Sequence, residues 1–257
     1  MALSNGAEPL TPVDLAIGAT NRALLMTDMG RPQEALDLTE IALTQYRQDT
    51  DVIPTWNIRA EMARIHAAAA TALADLGQPE QALARLDLAL SIARESYPEN
   101  HPDLATALAN AADFLFVQGN KTRALSLLEE AIAINAKYAE GHLFLGNALS
   151  QLGRQHDAID PLRRATELDG KNCEAPYRLG EAYHGMGDYR QAVEAGERAT
   201  RCKKDYPAAA VLLGDAYLKL VQLEDARTWY GRAVGDSRFK DYATHQLEEV
   251  NRLQKGP

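Results

Sequence analysis

Six times in this chain an alanine is followed seven residues later by a second alanine: Ala35/Ala42, Ala82/Ala89, Ala124/Ala131, Ala158/Ala165, Ala192/Ala199 and Ala226/Ala233. From Ala124 onward the lead alanines stand 34 residues apart; the two earlier intervals are 47 and 42. Twelve residues ahead of each lead alanine is another small residue, in turn Ala23, Ala70, Ala112, Gly146, Gly180 and Gly214. Five ahead is glycine (Gly30, Gly77, Gly119, Gly153, Gly187), with Val221 the exception. A spacing of seven puts both alanines on one helix face two turns apart. Small residues on facing helices let the axes approach while bulkier neighbours interdigitate around them. The glycine supplies the left-handed conformation in which a helix ends before a tight turn. Filler alanine would not keep this phase along the chain. The pattern therefore describes one helix-turn-helix unit used six times, a stack and not a globule around one pocket, and points to binding before catalysis.

Leu145-Gly146, Leu179-Gly180 with Tyr183, and Leu213-Gly214 with Tyr217, followed by Ala158, Ala192 and Ala226, resemble the centre of the tetratricopeptide (TPR) repeat, W-x2-L-G-x2-Y…A-x3-F…P in units of 34. Four residues after the lead alanine, where the family has an aromatic, stand Thr39, Leu86, Leu128, Leu162, Gly196 and Tyr230; Gly170 and Lys204 stand where it has the final proline. Gly196 removes a core side chain and predicts looser packing or an intruding neighbour. The stretch Tyr97-Pro98-Glu99-Asn100-His101-Pro102-Asp103-Leu104-Ala105 resembles the linker of the 42-residue TPR variant of kinesin light chains, with Pro102 at a first helical turn. The resemblance covers residues 16–238 and implies an all-α, right-handed α-solenoid of about six TPR units at 12–48, 55–96, 102–136, 138–169, 172–204 and 206–236. A break at Gln48–Pro54 precedes an unusually long helix over 55–76, and residues 1–11 lack periodicity and are expected to fray. At 239–254, Phe239, Tyr242, Ala243, Leu247, Val250 and Leu253 share a helical stripe opposite Lys240, Asp241, Glu248, Glu249 and Arg252, the pattern of a helix that caps the stack or docks a second molecule.

The 257 residues carry a net charge of −9 without a basic stripe, which argues against nucleic acid. No apolar run reaches membrane-spanning length, and the first residues lack the basic and apolar segments of a signal peptide. Two cysteines, Cys173 and Cys202, give no disulfide framework and read as reduced thiols of a cytoplasmic protein; both fall in the fifth repeat near where its helix pair opens and closes, which leaves their pairing open. The six histidines are scattered without metal-ligand spacing, and His66 and His142 read as packed histidines. Gly185-Met186-Gly187-Asp188 is a helix turn, not a nucleotide loop, and Glu129-Glu130 and Glu248-Glu249 read as solvated faces. No cofactor, no metal and no enzyme are expected.

The remaining feature is the groove that TPR folds line with the first helix of each pair. Eleven residues before each lead alanine, the position the resemblance turns into that surface reads Leu24, Thr71, Asp113, Asn147, Glu181 and Asp215. Other positions on the same wall are Asp28, Asp75, Glu140, Glu174 and Tyr177, opposed by Arg64 and Lys219. A mostly acidic ladder suits an extended or helical segment carrying Lys or Arg, or else is a solvated face. The carboxylate clamp of chaperone-binding TPR domains needs Lys, Arg and Asn where this chain offers Asp113, Glu140, Asn147, Glu174 and Arg178. Three readings follow: a protein-binding scaffold or adaptor, a recruiting or regulatory subunit of an enzyme complex, and a self-associating repeat protein stacking through Val13, Leu15 and Ile17 or through Phe239–Leu253.

Overall fold

The structure, a computed structural model, describes residues 12–48 and 56–255. Among these residues there are thirteen α-helices and no strand. They fall into two compact units, residues 1–135 and 136–257. The expected fraying of residues 1–11 and the break after Gln48 lie outside the described residues.

The N-terminal unit holds three helix hairpins: α1 (Pro12–Asp28) with α2 (Pro32–Gln48), α3 (Trp56–Asp75) with α4 (Pro79–Ser96), and α5 (Pro102–Val117) with α6 (Lys121–Ile134). Proline occupies the first position of α2, α4 and α5, where its missing N–H leaves no intrahelical bond unmade. At the start of α5 the His101 ring nitrogen accepts the backbone N–H of Asp103. The C-terminal unit repeats the arrangement with α7 (Ala139–Gln151) and α8 (Gln155–Leu168), α9 (Glu174–Gly185) and α10 (Tyr189–Cys202), and α11 (Pro207–Lys219) and α12 (Leu223–Ala233). A thirteenth helix, α13 (Lys240–Lys255), packs on α12 and buries Ala243 and Val250 in a cluster with Tyr230 and Ala233.

The alanine register is the core of both units. All six lead alanines are fully buried, and their partners seven residues on are at most 5% exposed. The turn glycines have φ between +69° and +82°, and Val221 takes φ +61° in the sixth turn. In every hairpin the residue after this left-handed one donates its N–H back to the helix end: Arg31 to Met26, Gln78 to Leu73, Asn120 to Leu115, Arg154 to Leu149, Asp188 to Tyr183 and Gln222 to Tyr217. This six-to-one bond satisfies a terminal carbonyl and stops the helix. A β-branched residue in that conformation is strained, so the sixth turn forms against local preference.

Glycine twelve residues before the lead alanine does more than fill the helix. A Cβ on Gly214 would lie 2.6 Å from the Tyr230 ring, and one on Gly146 would collide with Leu162. In each case the large residue four after the lead alanine lies on bare backbone. In the fifth repeat both positions are glycine, and the next hairpin fills the gap: a Cβ on Gly180 would meet Leu212 Cδ2 at 2.7 Å, and one on Gly196 would meet Leu213 Cγ at 2.9 Å. The intruding neighbours expected at Gly196 are these two leucines of α11.

The cysteines correct the sequence reading. Cys173, beside the start of α9, and Cys202, at the end of α10, form a disulfide with Cα atoms 5.4 Å apart. The hairpin brings its own ends together, so residues 29 apart in sequence become neighbours. The bonded pair removes the thiol-based reason for placing the chain in the cytoplasm. Among the described residues no helix is long and apolar enough to cross a membrane, and no cluster of three His, Cys, Asp or Glu side chains forms a metal site.

Candidate functional site

In the C-terminal unit the first helices, α7, α9 and α11, stand side by side and carry Asn147, Glu181 and Asp215 at matching positions. Two open cavities lie along them. One, of about 220 Å³, is lined by Asn147, Ser150 and Gln151 of α7, Gln155 of α8, and Arg178 and Glu181 of α9. The other, of about 370 Å³, runs from Tyr177, Glu181 and His184 of α9 to Val211 and Asp215 of α11 and to Phe239. Glu181 borders both, which makes them one groove across three repeats.

The carboxylates of this groove are held from within. Tyr177 donates its hydroxyl to Glu181 at 2.6 Å, and Arg178 donates to the other oxygen at 3.0 Å. Arg178 also pairs with Glu174 at 3.1 Å. The Tyr177 ring lies 5.1 Å from that of Tyr206. One Asp215 oxygen accepts the hydroxyls of Tyr230 (2.6 Å) and Tyr242 (2.8 Å), joining α11, α12 and α13 through a single atom. Burial, and then the carboxylate each one faces, pushes Tyr177 and Tyr230 well above the ordinary phenol range; for Tyr242 burial and Asp215 act the same way. These hydroxyls stay protonated donors. Each carboxylate keeps lone pairs for a further donor.

Asn147 differs from the two acids. Its Oδ1 is buried and accepts no hydrogen bond; Ser150 Oγ in the same cavity and His184 Nε2 in the next are also buried without a partner. A buried polar atom left unmade costs about 1–3 kcal/mol; three such atoms lie along this groove, and Gln45 Oε1, Tyr46 Oη and Glu61 Oε1 are three more in the N-terminal unit.

The structure thus gathers Asn147, Glu174, Tyr177, Glu181 and Asp215 in one unit. Glu140, exposed in the first turn of α7, accepts the Tyr138 hydroxyl at 3.3 Å, and Lys219 is exposed in the last turn of α11; neither lines the two cavities. Asp113, exposed on α5, and Arg64, paired with Glu61 at 2.7 Å on α3, belong to the N-terminal unit, as do exposed Leu24 and half-buried Thr71. His66 is buried with its Nδ1 3.2 Å from the Arg85 guanidinium, while half-buried His142 sits 3.1 Å from the Ala136 carbonyl. Sequence reasoning missed Tyr230 and Tyr242 as partners of Asp215. The signal was a tyrosine at a core position, whose hydroxyl needs an acceptor once buried.

A profile described as tetratricopeptide repeat matches residues 61–137, and a second of the same description matches 110–172 and 177–241. The chain belongs to the tetratricopeptide repeat family. No curated protein matches its sequence. Among solved structures it is similar to Pseudomonas aeruginosa PilF, at 16% identity and TM-score 0.65 over 93% of this chain and 98% of that one. It is similar also to YrrB, a TPR protein with an unusual peptide-binding site, at 22% identity and TM-score 0.57 over 72% of this chain and 92% of that one. A Podospora anserina putative kinesin light chain with TPR-like repeats matches at 18% identity and TM-score 0.58, covering 76% and 97% of the two chains. At these identities the likeness concerns the fold.

Proposed function

We propose that this chain is a non-catalytic scaffold that holds a segment of another protein in the groove of α7, α9 and α11. The observation that carries this reading is the buried, unpartnered Asn147 Oδ1 in a cavity open to solvent. An asparagine side chain offers a donor and an acceptor together and so matches the backbone of an extended segment. Glu181 and Asp215, farther along the same groove, favour a Lys or Arg side chain on that segment, because their spare lone pairs accept its N–H groups. The fold neighbour YrrB, a TPR protein with an unusual peptide-binding site, supports this reading.

A test is selection of binders from a random peptide library, followed by affinity measurement against Asn147→Ala and Glu181→Gln. Asn147→Ala is expected to weaken the selected peptides by about tenfold, the loss of a hydrogen bond to a group left unpaired. Glu181→Gln is expected to remove the preference for Lys or Arg and flatten the salt dependence. Selected peptides indifferent to both substitutions would place the binding surface elsewhere.

Self-association is a second reading, favoured by one observation. Leu15, Ile17, Leu24, Leu25 and Met29 of the first hairpin are between 36% and 57% exposed. Light scattering over a concentration range, with Leu25→Glu as control, decides it: a constant monomer mass refutes it.

A further inference from the structure

Successive second helices of the N-terminal unit are joined by opposite charges. Glu40 of α2 pairs with Arg85 of α4, Asp87 of α4 pairs with Arg123 of α6, and Arg94 of α4 pairs with Glu130 of α6 at 2.8 Å. In the last pair, Arg94 stands twelve residues after its lead alanine and Glu130 six after the next. The same two register positions in the C-terminal unit are Lys204, two residues past the end of α10, and Arg232 of α12. Both positions are cationic where the N-terminal unit has a salt bridge, and both line one cavity.

The space between them is a cavity of about 520 Å³ lined by Glu197, Thr200, Arg201, Lys204, Trp229 and Arg232. Glu197 accepts the Tyr217 hydroxyl at 2.9 Å and pairs with Arg201 at 3.4 Å. Neither Lys204 nor Arg232 has a carboxylate at ion-pair distance among the described residues. The Arg232 guanidinium lies over the Trp229 ring, 4.2 Å from its centre, and Trp229 packs against the cluster around Tyr230. A guanidinium held over a ring without a hydrogen-bond partner keeps N–H groups for a carboxylate, which its planar edge grips with two hydrogen bonds. Residues 198–204 carry Arg198, Arg201, Lys203 and Lys204 and no acid, in a chain of net charge −9. The disulfide at Cys202 holds this end of α10 to α9.

We infer that the cleft between α10 and α12 is a second binding site, formed by helices other than those lining the groove, that takes an acidic protein segment through Arg232, Lys204 and the Trp229 ring. Charge complementarity selects carboxylates. A long polyanion such as nucleic acid is repelled by the rest of the molecule, and a few cations do not make a phosphate-tracking stripe.

The chain has two tryptophans, so Trp56→Phe leaves Trp229 as the sole emitter. Acetylated octaglutamate is titrated into this variant, with octalysine and inorganic phosphate as separate arms. Calorimetry on the unmodified chain repeats the comparison without the tryptophan substitution. Octaglutamate is expected to shift Trp229 emission saturably and octalysine to leave it unchanged. Arg232→Glu, which installs the acid of the N-terminal unit opposite Lys204, is expected to weaken binding by at least about tenfold with unchanged circular dichroism. Arg232→Lys, which keeps the charge without the two-pronged edge, should fall between. No saturable change or heat up to millimolar octaglutamate would overturn the site and leave these cations as complements to two helix C-termini. Equal saturation by octalysine, binding of octaglutamate untouched by Arg232→Glu, or phosphate alone binding as tightly as octaglutamate would overturn it as well.

Discussion

The two units use the same alanine register and differ in how tightly their hairpins close. In the N-terminal unit the small residue facing each second helix is alanine, the described helices run from 14 to 20 residues, and ion pairs join successive second helices at the surface. In the C-terminal unit it is glycine, the helices of the three hairpins shorten to 11–14 residues, and larger side chains lie directly on backbone. There polar links between helices include tyrosine hydroxyls on Glu197 and Asp215, the Arg198 guanidinium on the Thr166 carbonyl, and one disulfide. The lesson is that a repeat array stays in phase through its smallest residues alone, while everything around them is free to change between salt bridges and buried hydroxyls.

The disulfide gives the largest handle on that difference. Reduction, or Cys173→Ser, should lower the stability of the C-terminal unit by about 3–4 kcal/mol, the loop-closure entropy of a hairpin this long. Amide exchange would show faster opening of α9 and α10 with α1–α6 unchanged; identical exchange in both redox states would mean that packing alone holds the fifth repeat. Next comes Ala192→Leu. Ala192 is fully buried and its carbonyl lies 3.3 Å from where a Gly180 Cβ would sit, so added volume meets backbone. A loss of about 1–3 kcal/mol in chemical denaturation is expected. A wild-type midpoint would show that the register tolerates bulk.

A smaller effect of opposite sign belongs to the sixth turn. Val221→Gly should stabilise by about 1 kcal/mol by relieving the left-handed strain, whereas Gly153→Val in the equivalent turn should destabilise by a similar amount. Paired melting curves test the sign. The smallest effect concerns the exposed bridge on the N-terminal unit: Glu130→Ala should cost at most about 1 kcal/mol and less at high salt. A larger loss would make these bridges structural and sharpen the contrast with Lys204 and Arg232.

The helix pairs could be read from residues whose constraint is local. Ala158, Gly153 and Gly146 each answer a steric demand of their own hairpin, so their identities and spacing carry the fold. What escaped sequence reading depends on contacts across hairpins. Leu212 and Leu213 filling the gap at Gly180 and Gly196, and Tyr242 reaching Asp215 from 27 residues away, follow from distances that no periodicity encodes. Cys173 and Cys202 were placed in one hairpin by sequence, but their pairing depends on how the α9 start and the α10 end meet. The acidic positions were likewise visible as a row, yet their charges are shared with Tyr177, Arg178 and Tyr230, partners that composition does not assign.

The double hydroxyl contact at Asp215 makes the far end of the chain a party to events in the groove. In the proposed role, a cation on the spare lone pairs of this carboxylate draws charge from the Tyr242 hydrogen bond, and an α13 that holds the carboxylate firmly weakens the cation's hold in turn. Whatever free energy one exerts on the other is returned in equal measure, so the terminal helix and the groove form a linked pair of equilibria. A variant such as Tyr242→Phe, which changes α13 alone and removes only the hydroxyl that reaches Asp215, then becomes a dial on groove affinity.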